Sequence, residues 1–193
     1  MVIERLIPLF LAATLAGCFT STAPVVQSWN IAPQFPERPS GIESTFAVTR
    51  IGTVSVLSPY DAQPLTVLRA NGSVALDPSN RFAAAPAMLM RENLRAALLS
   101  DGRFGNVVGQ ASRAQADATV EVDVVELALD CSTVRSRYAV VKIDMRVIGG
   151  KGAHTILMSS SGEGTINAAA GNYTAAFSAA AEKAFSQALK NLQ

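Results

Sequence analysis

Three long stretches of this chain alternate between apolar and polar residues, as strands with one buried face do. They are residues 46–57, 119–129 and 138–148. A fourth stretch, 155–166, starts apolar and ends small and polar, so we expect a strand with an exposed or edge position. In the third stretch Val141, Ile143, Met145 and Val147 should point inward, and Lys142, Asp144 and Arg146 outward.

The alternation changes phase inside the stretch 119–129. Apolar residues occupy the even positions 120–124 and then the odd positions 125–129. A one-residue slip normally turns a whole strand face over, so it needs a local structural cause. The doubled step Val124-Val125 therefore predicts a β-bulge near Val124 or a strand that changes partners.

Helical spacing occurs in two places. Pro86 is suited to the first turn of a helix, and Gly102 is predicted to end that helix as a left-handed cap. The buried stripe of this helix should comprise Met90, Leu94, Ala97 and Leu98.

A second helix is predicted over 173–192, with Asn172 as its N-cap. Because its stripe is rich in alanine, this helix can lie close on a sheet. The stripe comprises Tyr173, Ala176, Phe177, Ala180, Ala181, Ala184, Ala188 and Leu189.

Turn residues divide the stretch between the first strand and the first helix. Asn71-Gly72 predicts a tight hairpin between 65–69 and 73–76, since this pair accepts positive φ. The segments 58–61 and Asp77 to Asn80 are predicted to be further turns, and 104–108 a short strand after the helix. This order of elements predicts an α+β fold: a mainly antiparallel sheet with two helices packed on one face.

The amino terminus carries an export signal. The apolar segment 6–15 has the length of a signal-peptide core and is far shorter than the roughly 20 residues of a membrane span. Leu15-Ala16-Gly17-Cys18 resembles the bacterial lipobox, in which the cysteine is acylated, with chains such as palmitate, and becomes the new amino terminus. The alternative is an ordinary signal peptide with a chance cysteine.

A lipidated Cys18 would hold the domain to a membrane without a transmembrane helix, since stable anchoring needs about two acyl chains. We expect three segments: a lipoprotein signal peptide at 1–17, a Pro- and Ser-rich lipid-anchored flexible tether at 18–44, and a folded domain at 45–193. Within the tether, 25–31 can form a short strand in which Trp29 packs on the core. In enterobacteria, lipoproteins that stay in the inner membrane generally have an aspartate directly after the cysteine. Cys18 is followed by Phe19 instead, which favours the inner leaflet of the outer membrane, facing the periplasm.

Charge and composition exclude several functions. With 16 basic and 15 acidic residues and no basic run, nothing indicates a nucleic-acid partner. The single histidine, His154, is predicted to lie in an exposed turn, and no G-x-S-x-G, P-loop or metal-ligand spacing occurs. Once Cys18 is acylated, Cys131 has no intramolecular partner. We therefore find no candidate catalytic residues and no pattern of a metal or cofactor site, and we expect a protein that is not an enzyme.

The block 51–104 resembles the family of ABC-type transport auxiliary lipoproteins, which includes a paraquat-inducible lipoprotein of an intermembrane transport system. Phe82 stands where that family would have tryptophan. The matching residues are Val54, Val56, Pro59-Tyr60-Asp61, Leu68-Arg69, Asp77-Pro78, Asn80-Arg81-Phe82, Pro86, Leu98 and Asp101-Gly102-Arg103-Phe104.

The resemblance implies a non-enzymatic component of an intermembrane lipid transport system. Its implied partner is an MCE-type (mammalian cell entry-like) periplasmic protein, and through it an ABC permease and ATPase or an integral membrane protein. Phospholipid as cargo and a homo-oligomeric ring are further implications. Residues in loops often make contacts, so the candidate partner-contact residues are Tyr60, Asp61, Arg69, Asp77, Asn80 and Phe82. Capping of the core is the alternative role for each of these residues.

Two other functions fit the same sequence. One is a small-lipid carrier that buries an acyl chain in an apolar cavity between helix and sheet. The other is an assembly lipoprotein of another envelope machine, such as a secretion or pilus system.

Overall fold

The computed structural model describes residues 25–38, 41, 43–133, 135–150, 155–169 and 171–192. The predicted lipobox with Cys18, and His154, lie outside these residues. In chain order the elements are β1 (Gln27–Trp29), β2 (Phe46–Val56), β3 (Pro64–Arg69), β4 (Val74–Phe82), α1 (Pro86–Ser100), β5 (Phe104–Val108), β6 (Ala118–Cys131), β7 (Tyr138–Gly149), β8 (Ile156–Asn167) and α2 (Tyr173–Asn191).

An eight-stranded sheet is covered on one face by both helices, which confirms the predicted α+β fold. The long antiparallel pairings join β6 to β7 and β7 to β8. The sheet is nevertheless mixed, because β2 runs parallel to β5 and β6, β3 parallel to β6, and β1 parallel to β4. Helix α1 carries the chain from β4 to the other edge of the sheet, where β5 runs parallel to β2 and antiparallel to β4.

Strand β6 is the centre of the sheet and explains the phase change in the sequence. Its first half pairs with β2 up to Val124, and its last residues, from Leu129, pair with β3. On the other side, the register with β7 slips between Val124 and Glu126. The strand therefore has both a bulge and a change of partner at the doubled step, and the apolar residues on either side of it are buried at the same core.

Helix α2 lies directly on β8, at two glycines. A Cβ added to Gly162 would come within 1.9 Å of the Ala184 carbonyl oxygen, and one added to Gly164 within 1.8 Å of the Ala180 oxygen. Backbone therefore meets backbone at this interface, and no larger residue fits on either strand position. All eight residues of the predicted α2 stripe are buried, together with Phe185.

The β3–β4 hairpin forms around Asn71-Gly72 as predicted, with Gly72 at φ 78°. The predicted turn at Asp77 to Asn80 is wrong, because these residues belong to β4. They form a bulge instead: Asp77 pairs with Leu65 and Arg81 with the preceding Pro64, so 78–80 are extra residues in β4. The residues Asp77, Pro78 and Asn80, which predicted a turn, thus form a bulge within the strand.

Two further expectations are corrected. Helix α1 begins at Pro86 as predicted, but Gly102 is not its left-handed cap; the C-cap is Asp101, in an extended conformation. The short strand expected within 25–31 forms as β1, with Trp29 against the core, but the rest of the segment up to residue 38 also packs on the domain instead of forming a flexible tether. Ile31 is only 3% exposed, and Phe35 lies edge-on to Phe185 at 6.4 Å. The apolar residues between the prolines supply the buried surface that fixes this segment.

An ionic contact ties the ends of the two helices together. Arg103 binds the carboxylate of Asp101 at 2.8 Å and donates to the carbonyl oxygen of Leu189 near the end of α2. Burial alone would raise the pKa of Asp101, but the hydrogen bonds from Arg103 outweigh it and hold the pKa below its ordinary value. Since the charged form is the one stabilised, its contribution is present above pH 3.8 and is lost as the pH falls through the native pKa.

Replacement of Gly164 should test the backbone contact between α2 and β8. We expect Gly164→Ala to lower the free energy of unfolding by about 1–3 kcal/mol, because the added methyl group overpacks the interface. Gly109→Ala is the matched control, since an added Cβ there meets nothing within 4 Å. Urea unfolding measures both, and an equal, small effect of the two variants would contradict the assigned contact.

Asp101→Asn should destabilise the protein by about 1–2 kcal/mol at pH 7, through the weakened charged hydrogen bonds to Arg103. The deficit relative to the wild type should shrink as the pH falls from about 3.8 through the lowered pKa of the native carboxyl, which is then protonated too. Asp61→Asn, at an exposed position, serves as the control with no deficit at any pH. Urea unfolding at several pH values gives the comparison, and a deficit independent of pH would refute the assignment.

Candidate partner-contact site

The loop between β2 and β3 lies against the sheet, and the partly buried ring of Tyr60 packs on the core. The hydroxyl of Thr66 donates to the carbonyl oxygen of Pro59 at 3.1 Å, and the N–H of Tyr60 donates to Leu57 at 2.8 Å. These bonds hold the loop against the strands. Asp61 is exposed, and Leu57 is an exposed large apolar residue at 48%. Two of the candidate contact residues, Tyr60 and Asp61, therefore sit on an ordered loop.

Tyr60 lies next to a line of charges that crosses the outer face of the sheet, the face away from the helices. Glu126, Lys142 and Glu163 are cross-strand neighbours, and the Lys142 ammonium is 2.9 Å from Glu126 and 3.8 Å from Glu163. Burial raises the pKa of Tyr60, and the negative charge of Glu126 adds to the shift. The phenol is therefore neutral at physiological pH and able to donate a hydrogen bond.

The charges continue along the outer face towards the start of β6. Arg146 binds Asp123 at 2.7 Å and lies 3.9 Å from Glu121. The hydroxyl of Ser55 also donates to Asp123, and this bond, opposed by burial and aided by Arg146, lowers the pKa of that carboxyl. Seven charged residues lie on the central outer face, on β6 between 121 and 126 and on the residues of β7 and β8 that pair beside them. Two are cations and five are carboxylates, so this face is acidic. The seven residues are Lys142, Arg146, Glu121, Asp123, Glu126, Asp144 and Glu163.

Asp77 and Asn80 are joined in one network at the β4 bulge. The Asp77 carboxylate accepts from the backbone N–H groups of Ser79 at 2.9 Å and Asn80 at 3.2 Å, and from the Asn80 amide at 2.8 Å. Asn80 in turn accepts a hydrogen bond from the Trp29 indole at 2.8 Å. Trp29 packs edge-on to Tyr173, with 5.3 Å between ring centroids. This network holds the bulge in shape and fastens β1 to the sheet.

Arg69 and Asp77 share a pocket of about 360 Å³ between the hairpin and the start of α2. Arg137 also lines it, and its guanidinium donates to the Tyr173 hydroxyl at 3.1 Å. Cys131 lies in the same pocket; burial raises the pKa of its thiol, so the unreactive protonated form dominates. The pocket therefore holds two exposed cations, Arg69 and Arg137, together with the Asp77 carboxylate.

Phe82 does not belong to a contact surface. Its side chain is 1% exposed and lies edge-on to Phe177 at 5.3 Å. As the last residue of β4 it points into the core between sheet and α2. The aromatic residue at this position therefore packs the interior, and its assignment as a partner contact is corrected.

The candidate residues fall into three separate environments: Tyr60 and Asp61 on the β2–β3 loop, Arg69, Asp77 and Asn80 at the hairpin, and Phe82 in the core. Sequence reasoning missed Arg137, Glu126 and Lys142. The pairing of Glu126 with Lys142 depends on the register after the bulge, which alternation alone does not specify. Within the described part of the chain, no three His, Cys, Asp or Glu side chains come together as metal ligands.

These observations define a class of protein: an α+β domain with a packed core and a charged outer sheet face. The chain belongs to the family of ABC-type transport auxiliary lipoprotein components, whose model matches residues 29–192. Membership confirms the family resemblance read from the sequence and assigns the protein to a transport system of the cell envelope. No curated protein matches this chain.

Two solved structures share the fold at low sequence identity, and a third is a more distant match. Protein XCC0632 of Xanthomonas campestris, of family DUF330, has a TM-score of 0.66 at 15% identity, covering 84% of this chain and 89% of that one. An uncharacterized protein follows with a TM-score of 0.57 at 12% identity, covering 79% and 90%. A PelC dodecamer from Paraburkholderia phytofirmans has a TM-score of 0.48 at 13% identity, covering 83% and 95%. These likenesses concern the fold alone. Among the described residues no helix is long and apolar enough to cross a membrane.

The network around Asn80 generates a test with a direct optical readout, because Trp29 is the only tryptophan. Asn80→Ala should cost about 1–3 kcal/mol of stability through the lost bonds to Trp29 and Asp77, and should shift the emission of Trp29 to the red. Ser79→Ala is the control, since Ser79 binds Asp77 through its backbone. Unchanged emission in Asn80→Ala would show that β1 is held by other contacts.

Proposed function

We propose that this chain is a non-enzymatic, lipid-anchored component of an ABC/MCE-type intermembrane lipid transport system. The observation that carries the proposal is the family match over 29–192, together with a lipobox that ends in Cys18. The acylated Cys18 would insert into the inner leaflet of the outer membrane, so that the domain faces the periplasm. The role is to dock an MCE-type protein, and through it an ABC permease and ATPase or an integral membrane protein.

The docking surface we propose is the β2–β3 loop with the outer face beside it. Tyr60 and Asp61 are held in place there by the bonds of Pro59 and Leu57 to the sheet, so little order has to be gained on binding. Tyrosine is a residue type that contributes strongly at interfaces. The excess of carboxylates on this face favours a partner surface that carries lysine and arginine.

A small-lipid carrier is not favoured. It needs an apolar cavity between helix and sheet, and in the described part of the chain α2 meets β8 by backbone contact at Gly162 and Gly164. Phospholipid would then pass through the partner proteins rather than through this core. A ring of several copies of this chain is compatible with the proposal, and the number of copies can be measured from the mass of the protein in solution.

The proposal predicts that an MCE-type protein and its permease are recovered with the intact lipoprotein after crosslinking in native membranes. The double variant Tyr60→Ala, Asp61→Ala should reduce recovery roughly tenfold, the loss expected for one strong interface residue. Recovery from the wild type should also fall with added salt, because the contact is charged. Glu92→Ala, exposed on α1 at the helix-covered side, is the matched control.

Two outcomes would count against the proposal in different ways. Recovery of the MCE-type protein that is unaffected by the double variant would leave the transport role standing and refute the assigned surface. Recovery of secretion or pilus components instead would favour the assembly-lipoprotein alternative.

A further inference from the structure

One end of the domain collects several chain segments that are far apart in sequence. Arg69 at the end of β3 lies beside Cys131 at the end of β6, and Tyr138 at the start of β7 lies opposite both Asp130 and Asn167. We call this the hairpin end; it comprises 69–73, 132–133, 135–137 and the start of α2. The opposite end holds 109–117 and the start of β6, and the 14 residues of β6 separate the two by about 40 Å.

The amino-terminal chain enters the fold from the direction of the hairpin end. β1 runs parallel to β4, with Gln27 beside Asn80, and β4 starts at the hairpin. The two described residues before Gln27, Val25 and Val26, therefore lead from β1 towards the hairpin end. Asn80 is near the level of Pro64, which lies five residues, or roughly 17 Å, from Arg69.

The length of chain between anchor and strand limits where the membrane can be. Cys18 precedes Gln27 by nine residues, so the two are at most about 32 Å apart. That reach passes the hairpin end by roughly 15 Å. Reaching the opposite end would require the chain to reverse direction and would use almost its whole length.

The chemistry of the hairpin end fits a phospholipid surface. Arg69, Arg135 and Arg137 are exposed there. The nearby Asp77 and Asp130 carboxylates already accept hydrogen bonds from backbone N–H groups. Exposed aliphatic side chains occur on β4 and just before β1: Val74 at 49%, Leu76 at 49%, Val25 at 79% and Val26 at 45%. Leu76 lines the same pocket as Arg69 and Arg137. Exposed arginines beside aliphatic residues are what an anionic bilayer surface attracts.

We propose that the hairpin end rests on the phospholipid surface that holds the anchor. Arg69, Arg135 and Arg137 contact anionic headgroups, and the valines lie at the boundary of the acyl chains. The proposal rests on acylation of Cys18, part of the proposed function. It orients the molecule: β6 stands away from the membrane, and the outer face, with the β2–β3 loop beside it, is turned sideways, free for a protein partner.

The test uses the lipidated full chain in vesicles of phosphatidylethanolamine and phosphatidylglycerol. In a Cys131→Ala background, Ala70→Cys at the hairpin and Ala111→Cys at the opposite end each carry a polarity-sensitive fluorophore; both alanines are exposed. Nitroxide-labelled phospholipid should quench the fluorophore at position 70 several-fold more than the one at position 111. Adding Arg69→Gln, Arg135→Gln and Arg137→Gln should lower that quenching, with on the order of a fivefold weaker docking equilibrium per arginine. Arg113→Gln, also exposed, is the charge control.

Flotation of the same samples separates this proposal from the anchor on which it rests. Protein that floats with the vesicles but is quenched equally at 70 and 111, or more at 111, is anchored and refutes the orientation. Quenching at 70 that the triple variant leaves unchanged would refute the headgroup contacts. Protein that does not float lacks the anchor, and the argument from chain length fails with it.

Discussion

The backbone contact between α2 and β8 is the constraint on which the rest of the structure depends. With no side chain on Gly162 or Gly164, the helix can approach the strand until carbonyl oxygens of Ala180 and Ala184 occupy the space of a Cβ. This fixes both ends of α2. Its first residue, Tyr173, meets Trp29 and Arg137, and its last turn meets Arg103. The amino-terminal strand and the end of α1 are thereby attached to one helix.

Strand β6 provides the second constraint, because three strands depend on it. The bulge after Val124 lets the same strand pair with β2 on its first half and β3 on its last residues while remaining paired with β7. If the same sequence formed a regular strand with no bulge, the apolar positions 127 and 129 would lie on the outer face. The bulge therefore keeps a single core under two differently paired halves of the sheet, and it places Glu126 beside Lys142 and Tyr60.

Local patterns in the sequence were sufficient for the fold class and for most elements. Alternation located β7 because every second residue is buried, and the spacing of Met90 and Leu94 located α1. What failed depended on distant neighbours. The turn signal at Asp77 to Asn80 became a bulge because β1 and Trp29 lie against it, and the loop residue Phe82 became core because Phe177 packs on it. Surface roles were harder still, since the outer-face charges belong to three different strands.

The packing of the helices and of β1 on the sheet determines three surfaces: the helix-covered face, the outer face and the hairpin end. The helices occupy one face of the sheet, so a protein partner has the outer face, where the carboxylates lie, and the β2–β3 loop with Tyr60 beside it. β1 enters antiparallel to β6, which brings the amino-terminal chain to the end where β3 and β6 finish. If the chain entered parallel to β6, the anchor would pull the 109–117 end to the membrane and the arginines of the hairpin end would face the periplasm. In the orientation that we propose, the direction of one three-residue strand thus decides which chemistry meets lipid and which meets protein.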